Sequence, residues 1–199
     1  MGIFDRMGGT KPKQDGNYIQ PGNYACRIDR VKLDKNRSGG EFVAVEMTVL
    51  HVIGTEEGRQ SHKVGESISR LFCDYGPGKD YFLKELKAFL LAAYGAQPDD
   101  LDDDAEAVKV CTDTCDLKLQ PLAGTIVEVS AKNRVGKTGK DFTNVVFKRR
   151  ISPIAVLNDI IAEGGVLTKD EKAKFFKAGV LEALATEEAK NFVAPAKAA

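Results

Sequence analysis

The chain has 199 residues, with 29 basic and 29 acidic side chains, so its formal net charge is zero. That length suits one domain with an extension, and an apolar fraction of 43% is enough to bury a core. Balanced charge excludes a uniformly basic or acidic surface, but segregated charge still allows a local one.

No apolar run approaches a membrane span, no secretory signal opens the chain, and Arg6 stands where a myristoylation signal needs Ser or Thr. Cys26, Cys73, Cys111 and Cys115 are few for this length, and the first two fall in strand-like stretches. Reduced thiols and an intracellular location are therefore expected.

In chain order, residues 1–20 are polar and glycine-rich, which predicts an arm. "PGNYACRIDRVKL" predicts a strand: Tyr24, Cys26 and Ile28 share one face, whereas Val31 and Leu33 fall on the other parity. A bulge near Asp29–Arg30 would produce that slip and bend the strand. "DKNRSGGEF" follows as a basic, flexible turn. "EFVAVEMTVLHVI" predicts a second strand with Val43, Val45, Met47 and Val49 inward. "SISRLFCD" predicts a third, with Leu71 and Cys73 on one face and Arg70 and Phe72 on the other.

"GKDYFLKELKAFLLAAYG" predicts a helix, capped by Asp80 and closed by Gly95, with Phe82, Leu83, Leu86, Phe89, Leu90 and Ala93 as its apolar stripe. An acidic insert without clear periodicity runs from about Gln97 to Gln120. "GTIVEVSAK" and "DFTNVVFKRR" predict strands four and five, with Val145 and Phe147 inward, joined by a second basic turn in "AKNRVGKTGKDF". From Ser152 the pattern becomes helical: Ser152–Pro153 suits a helix start, Ile154, Val156, Leu157, Ile160 and Ile161 supply a face, and "TKDE" at Thr168–Glu171 opens a second helix carrying Phe175, Phe176 and Leu181. The tail "APAKAA" is expected to be loose.

Three strands, a helix and two strands is the order of a five-stranded Greek-key barrel of the oligonucleotide-binding (OB) type, with its helix between strands 3 and 4. The expected architecture is mainly β with helices: a barrel over residues 21–150 and a helical C-terminal extension over 151–199. In this fold, the turns between strands 1 and 2 and between strands 4 and 5 flank the face that binds oligonucleotides. Both carry the triplet Lys-Asn-Arg.

A single-strand binder needs cations that follow phosphates and rings on which bases stack. Lys35, Arg37, Lys132, Arg134, Lys137 and Lys140 are the candidate cations, with Arg70 and Lys148 on the adjoining strands. Phe42, Phe72 and Phe142 are the candidate rings, each on the parity opposite its strand's expected inward face. Against this stand two plainer readings, a solvated basic surface and rings that merely close the barrel.

No constellation calls for catalysis, a cofactor or a metal. "GKTGK" lacks the first glycine of a phosphate loop, where Ala131 stands, and it joins two strands rather than a strand and a helix. Asp99–Glu106 lacks calcium-loop spacing, Cys111 and Cys115 form one C-x3-C pair without a second, and neither His51 nor His62 has a nearby serine or cysteine in a recognised nucleophile setting.

The stretches "PGNYACRIDRVKLDKNRSGGEFVAVEMTVL", "YFLKELKAFLLAAYG" and "LAGTIVEVSAKNRVGKTGKDFTNVVF" resemble phage-encoded single-stranded DNA-binding proteins. The similarity covers about residues 21–150. It implies a non-enzymatic protein that coats single-stranded DNA during replication or recombination, in the host cytoplasm, with replication or recombination proteins as further partners and no membrane. Two features depart from the pattern: the ending "APAKAA" is not an acidic tip, and the helices after Arg150 lie outside the match. Those helices are candidates for self-association. The competing expectation is a structural or adaptor protein that uses the same barrel, the acidic insert and the terminal helices for protein contacts.

Overall fold

Side chains of an extended chain point alternately to opposite faces, so a period of two marks a strand with one buried side. Each stretch with that pattern is a strand in the computed structural model, which describes residues 19–76, 79–136, 139 and 141–162. The strands are β1 (Gly22–Lys35), β2 (Glu41–Thr55), β3 (Ser67–Cys73), β4 (Ile126–Val135) and β5 (Asp141–Arg150). The helices are α1 (Phe82–Tyr94), α2 (Asp104–Cys115) and α3 (Pro153–Ala162), with a 3-10 turn at Pro98–Leu101. Neighbouring strands are all antiparallel, in the order β3-β2-β1-β4-β5. The protein is mainly β, built on an open five-stranded sheet. No ladder joins the edge strands β3 and β5 among the described residues. No helix among them is long and apolar enough to cross a membrane.

β1 organises the sheet. It pairs with β2 along its length and with β4 only from Gly22 to Arg27. A register shift between Ile28 and Arg30, at the expected slip, lets Tyr24, Cys26, Ile28 and then Val31 all enter the core. Two further shifts, after Asn23 and after Ala25, were not visible as parity changes. Beyond β4, the open edge of β1 is closed by a side chain. The Gln120 amide oxygen accepts the Val31 N–H at 2.9 Å, and its nitrogen donates to the Val31 carbonyl at 2.8 Å.

The core lies between the sheet and α1, which packs chiefly on β5 and also touches β3 and β4. Phe89 of α1 meets Phe147 of β5 at 4.8 Å and Phe72 of β3 at 5.7 Å between ring centroids, and Phe72 and Phe147 are 6.1 Å apart. Rings from both edge strands therefore meet on one helix, so the sheet is curled and α1 spans its opening.

Several expectations are corrected. β3 is inverted: Ile68 and Phe72 are buried while Leu71 is exposed, because the inward partners opposite β3 are Val43 and Met47. Tyr81, not Asp80, is the N-cap of α1 and makes no side-chain cap bond, whereas Gly95 closes the helix as expected. Leu83 of the predicted stripe is exposed. The insert holds α2, whose N-cap Asp103 accepts the Ala105 N–H at 2.8 Å. Ala107, Val110, Cys111 and Cys115 of α2 pack against the core at helical spacing. α3 begins at Pro153 and buries Val156. Residues 1–18 of the expected arm, the second C-terminal helix and the tail lie outside the described residues.

Candidate nucleic-acid interface

The repeated triplet takes two conformations. In the first copy Lys35 ends β1 and the chain turns at Asn36, whose side-chain oxygen accepts the N–H groups of Ser38 and Gly40, both at 2.9 Å. A Cβ on Gly40 would lie 2.7 Å from the Tyr75 ring, so the Ser-Gly-Gly turn is packed rather than merely flexible. In the second copy all three residues, Lys132–Arg134, belong to β4, and the turn starts at Gly136. Gly22 pairs with Ala131, so Lys132 and Arg134 overrun the start of β1 while the first turn leaves from its other end. No hydrogen bond or ion pair among the described residues joins the two turns.

Their electrostatics also differ. The Lys35 ammonium lies 2.9 Å from the Glu41 carboxylate, and that hydrogen-bonded pairing holds its pKa above the usual lysine value. Arg37 is exposed and has no ion pair among the described residues. On β4 and β5, Lys132, Arg134 and Lys148 are exposed and likewise have no ion pair among the described residues. Arg134 pairs directly with Phe142, which is 50% exposed, and Lys132 pairs with Asn144. These residues alternate with inward Val129, Ala131, Val145 and Phe147, so they form one outward row. Lys148 is the extra residue where the register shifts between Glu128 and Val129. Lys137 and Lys140 lie outside the described residues.

Two site candidates belong to the scaffold. Phe72 is 3% exposed and cannot stack a base. Arg70 reaches Glu85 of α1 at 2.7 Å and lies 5.5 Å over the Phe72 ring, so it ties β3 to α1. Phe42 is half-buried, between Asp34 and Cys73 in the ladders, and the carboxylate beside it disfavours a phosphate. Parity could have added two residues to the site: Asn144 and the exposed Val146 continue the row of Phe142.

The remaining chemistry is structural. Burial pushes the thiols of Cys26 and Cys111 up and that of Cys115 up to about 11, the opposite of an activated nucleophile. Acids of the insert act locally: Asp100 accepts the Gln97 N–H at 2.7 Å, Asp102 pairs with Lys87 at 2.6 Å, and Asp103 caps α2. No group of His, Cys, Asp and Glu among the described residues is arranged to hold a metal ion. Compared with known proteins, the chain matches no protein-family model and no curated protein.

Proposed function

We propose that the protein binds single-stranded DNA without strong sequence preference and protects or organises it during replication or recombination. The observation that carries this reading is the outward row on β4–β5. There an unpaired Arg134 stands across from exposed Phe142, beside unpaired Lys132, among the described residues. A ring on which a base can stack, next to cations that reach its flanking phosphates, is the minimal requirement of such a site. Strand order supports an OB-type barrel as the finer architecture: the order β3-β2-β1-β4-β5, with α1 touching both edge strands, is the one such a barrel would have if opened at the seam between β3 and β5.

The test is fluorescence anisotropy with labelled oligo-dT and a matched duplex. The wild-type chain is expected to prefer the single strand. Lys132→Glu with Arg134→Glu should weaken binding by at least about tenfold at low salt. Phe142→Ala should remove about 1–3 kcal/mol, the worth of one stacked base. Lys35→Glu should matter less, because Glu41 already neutralises Lys35. Absence of wild-type binding, or full binding by the folded double variant, would defeat the proposal and favour the adaptor reading.

A further inference from the structure

β4 outlasts its neighbours. Gly22, the first residue of β1, pairs with Ala131 on one side and with Thr55, the last residue of β2, on the other. β4 continues from there to Val135, and beside its overhang the ends of β1 and β2 leave a notch of about 240 Å³. Asn23, Glu56, Lys132 and Asn133 supply its polar lining. Glu56 is held in place, because its Oε2 accepts the Asn133 N–H at 3.2 Å. That bond uses one of about four lone-pair sites on a carboxylate.

Lys132 belongs both to this notch and to the outward row, and Phe142 lies on the other side of β4. Two strand spacings, about 10 Å, separate ring and notch. A single strand with one base on Phe142 therefore carries a neighbouring nucleotide to the notch. Pockets for drug-sized ligands begin at about 300 Å³, so this smaller one suits a flat group such as a single base. The carboxylate decides which part of the nucleotide enters: it repels phosphate, which stays outside with Lys132, and accepts N–H groups from a base edge. It also offers two acceptor oxygens side by side. Of the four DNA bases, only guanine answers with two adjacent donors on its Watson–Crick edge, N1–H and the N2 amino group. In cytosine and adenine an acceptor nitrogen stands beside the amino group, and in thymine two carbonyls flank N3–H. Asn23, whose amide can donate, suits guanine O6.

We infer that the notch at the end of β1 is a base subsite in which Glu56 accepts N1–H and the N2 amino group of guanine. The inference rests on the single-strand reading above, and it adds a modest preference for one base at one position.

Fluorescence anisotropy of the full chain with labelled oligo-dT tests this, when one central thymidine is replaced by deoxyguanosine or by deoxyinosine. Deoxyinosine keeps the purine ring for stacking and lacks only the N2 amino group, so the pair isolates the proposed hydrogen bond. The deoxyguanosine oligonucleotide should bind at least about fivefold more tightly than the deoxyinosine one, the lower end of the range for a bidentate base contact. Glu56→Gln should bring the two to the same affinity, because its amide still accepts the Asn133 N–H but turns one acceptor toward the base into a donor. Equal affinity of the wild-type chain for both oligonucleotides would overturn the inference and leave the single-strand reading standing. A guanine preference that survives Glu56→Gln would overturn it too, because another group would then be reading the amino group. Failure to bind any of the oligonucleotides would defeat the single-strand reading and the inference with it.

Discussion

A methyl group on Gly22 would lie 2.5 Å from the Tyr24 hydroxyl oxygen, at a φ of 151° that side chains with a Cβ rarely adopt. The ring is held there by polar bonds. Its hydroxyl donates toward the carbonyls of Pro21 and Gln20 at 2.9 and 3.0 Å, and it accepts the His62 N–H at 3.3 Å. His62 continues the network. Its Nε2 accepts the Gln20 N–H at 3.0 Å, so the ring proton sits on Nδ1 and is donated to Glu66 at 2.8 Å. That bond holds the Glu66 carboxyl below the usual carboxylate range. The Pro-Gly-x-Tyr opening, legible in the sequence only as a pattern, is thus a clasp between the start of β1 and the loop before β3. Gly22→Ala should cost about 1–3 kcal/mol, from strain and overpacking together. The measurement is a urea denaturation midpoint, expected to fall at unchanged m-value.

At the scale of elements, periodicity worked where one face is buried and one solvated, and failed where neither face announced itself. β2 was readable because Val43, Val45, Met47 and Val49 alternate with less apolar residues. β3 was not, because Leu71 and Phe72 are adjacent and either could have been the inward one. What decided was the ladder: β3 takes its facing from β2, and α1 supplies Phe89 to meet Phe72. α2 escaped notice because acids dilute its stripe, although Asp103 before Ala105 was a usable cap signal. The three-ring contact is the joint between both sheet edges and α1. Phe89→Ala should therefore cost about 3–5 kcal/mol, the range for removing a buried aromatic side chain. Thermal melting should show the loss, and a change below about 1 kcal/mol would mean that the rings do not hold the edges together.

For the whole molecule, zero net charge conceals an uneven distribution: acids gather on the stretch before and within α2, and Lys132, Arg134 and Lys148, without an ion pair among the described residues, on the outward side of β4–β5. Binding through Lys132, Arg134 and Lys148 should make log K for single-stranded DNA fall with log salt at a slope of about −2 from these three residues. Removing Lys132 and Arg134 should flatten the measured slope by about 1.4, read from titrations at several salt concentrations. An unchanged slope would place the phosphate contacts elsewhere.

By itself the sequence determined the strands, the principal helix, the slip in β1 and the list of candidate cations, because these depend on local spacing and residue type. Only the tertiary structure decided which candidates are available. It buried Phe72, bound Lys35 to Glu41 and Arg70 to Glu85, and drew one Lys-Asn-Arg triplet into a strand while leaving the other at a turn. Those outcomes depend on what lies across a ladder or beneath a helix, and residues such as Arg70 and Glu85 become neighbours only when the chain folds.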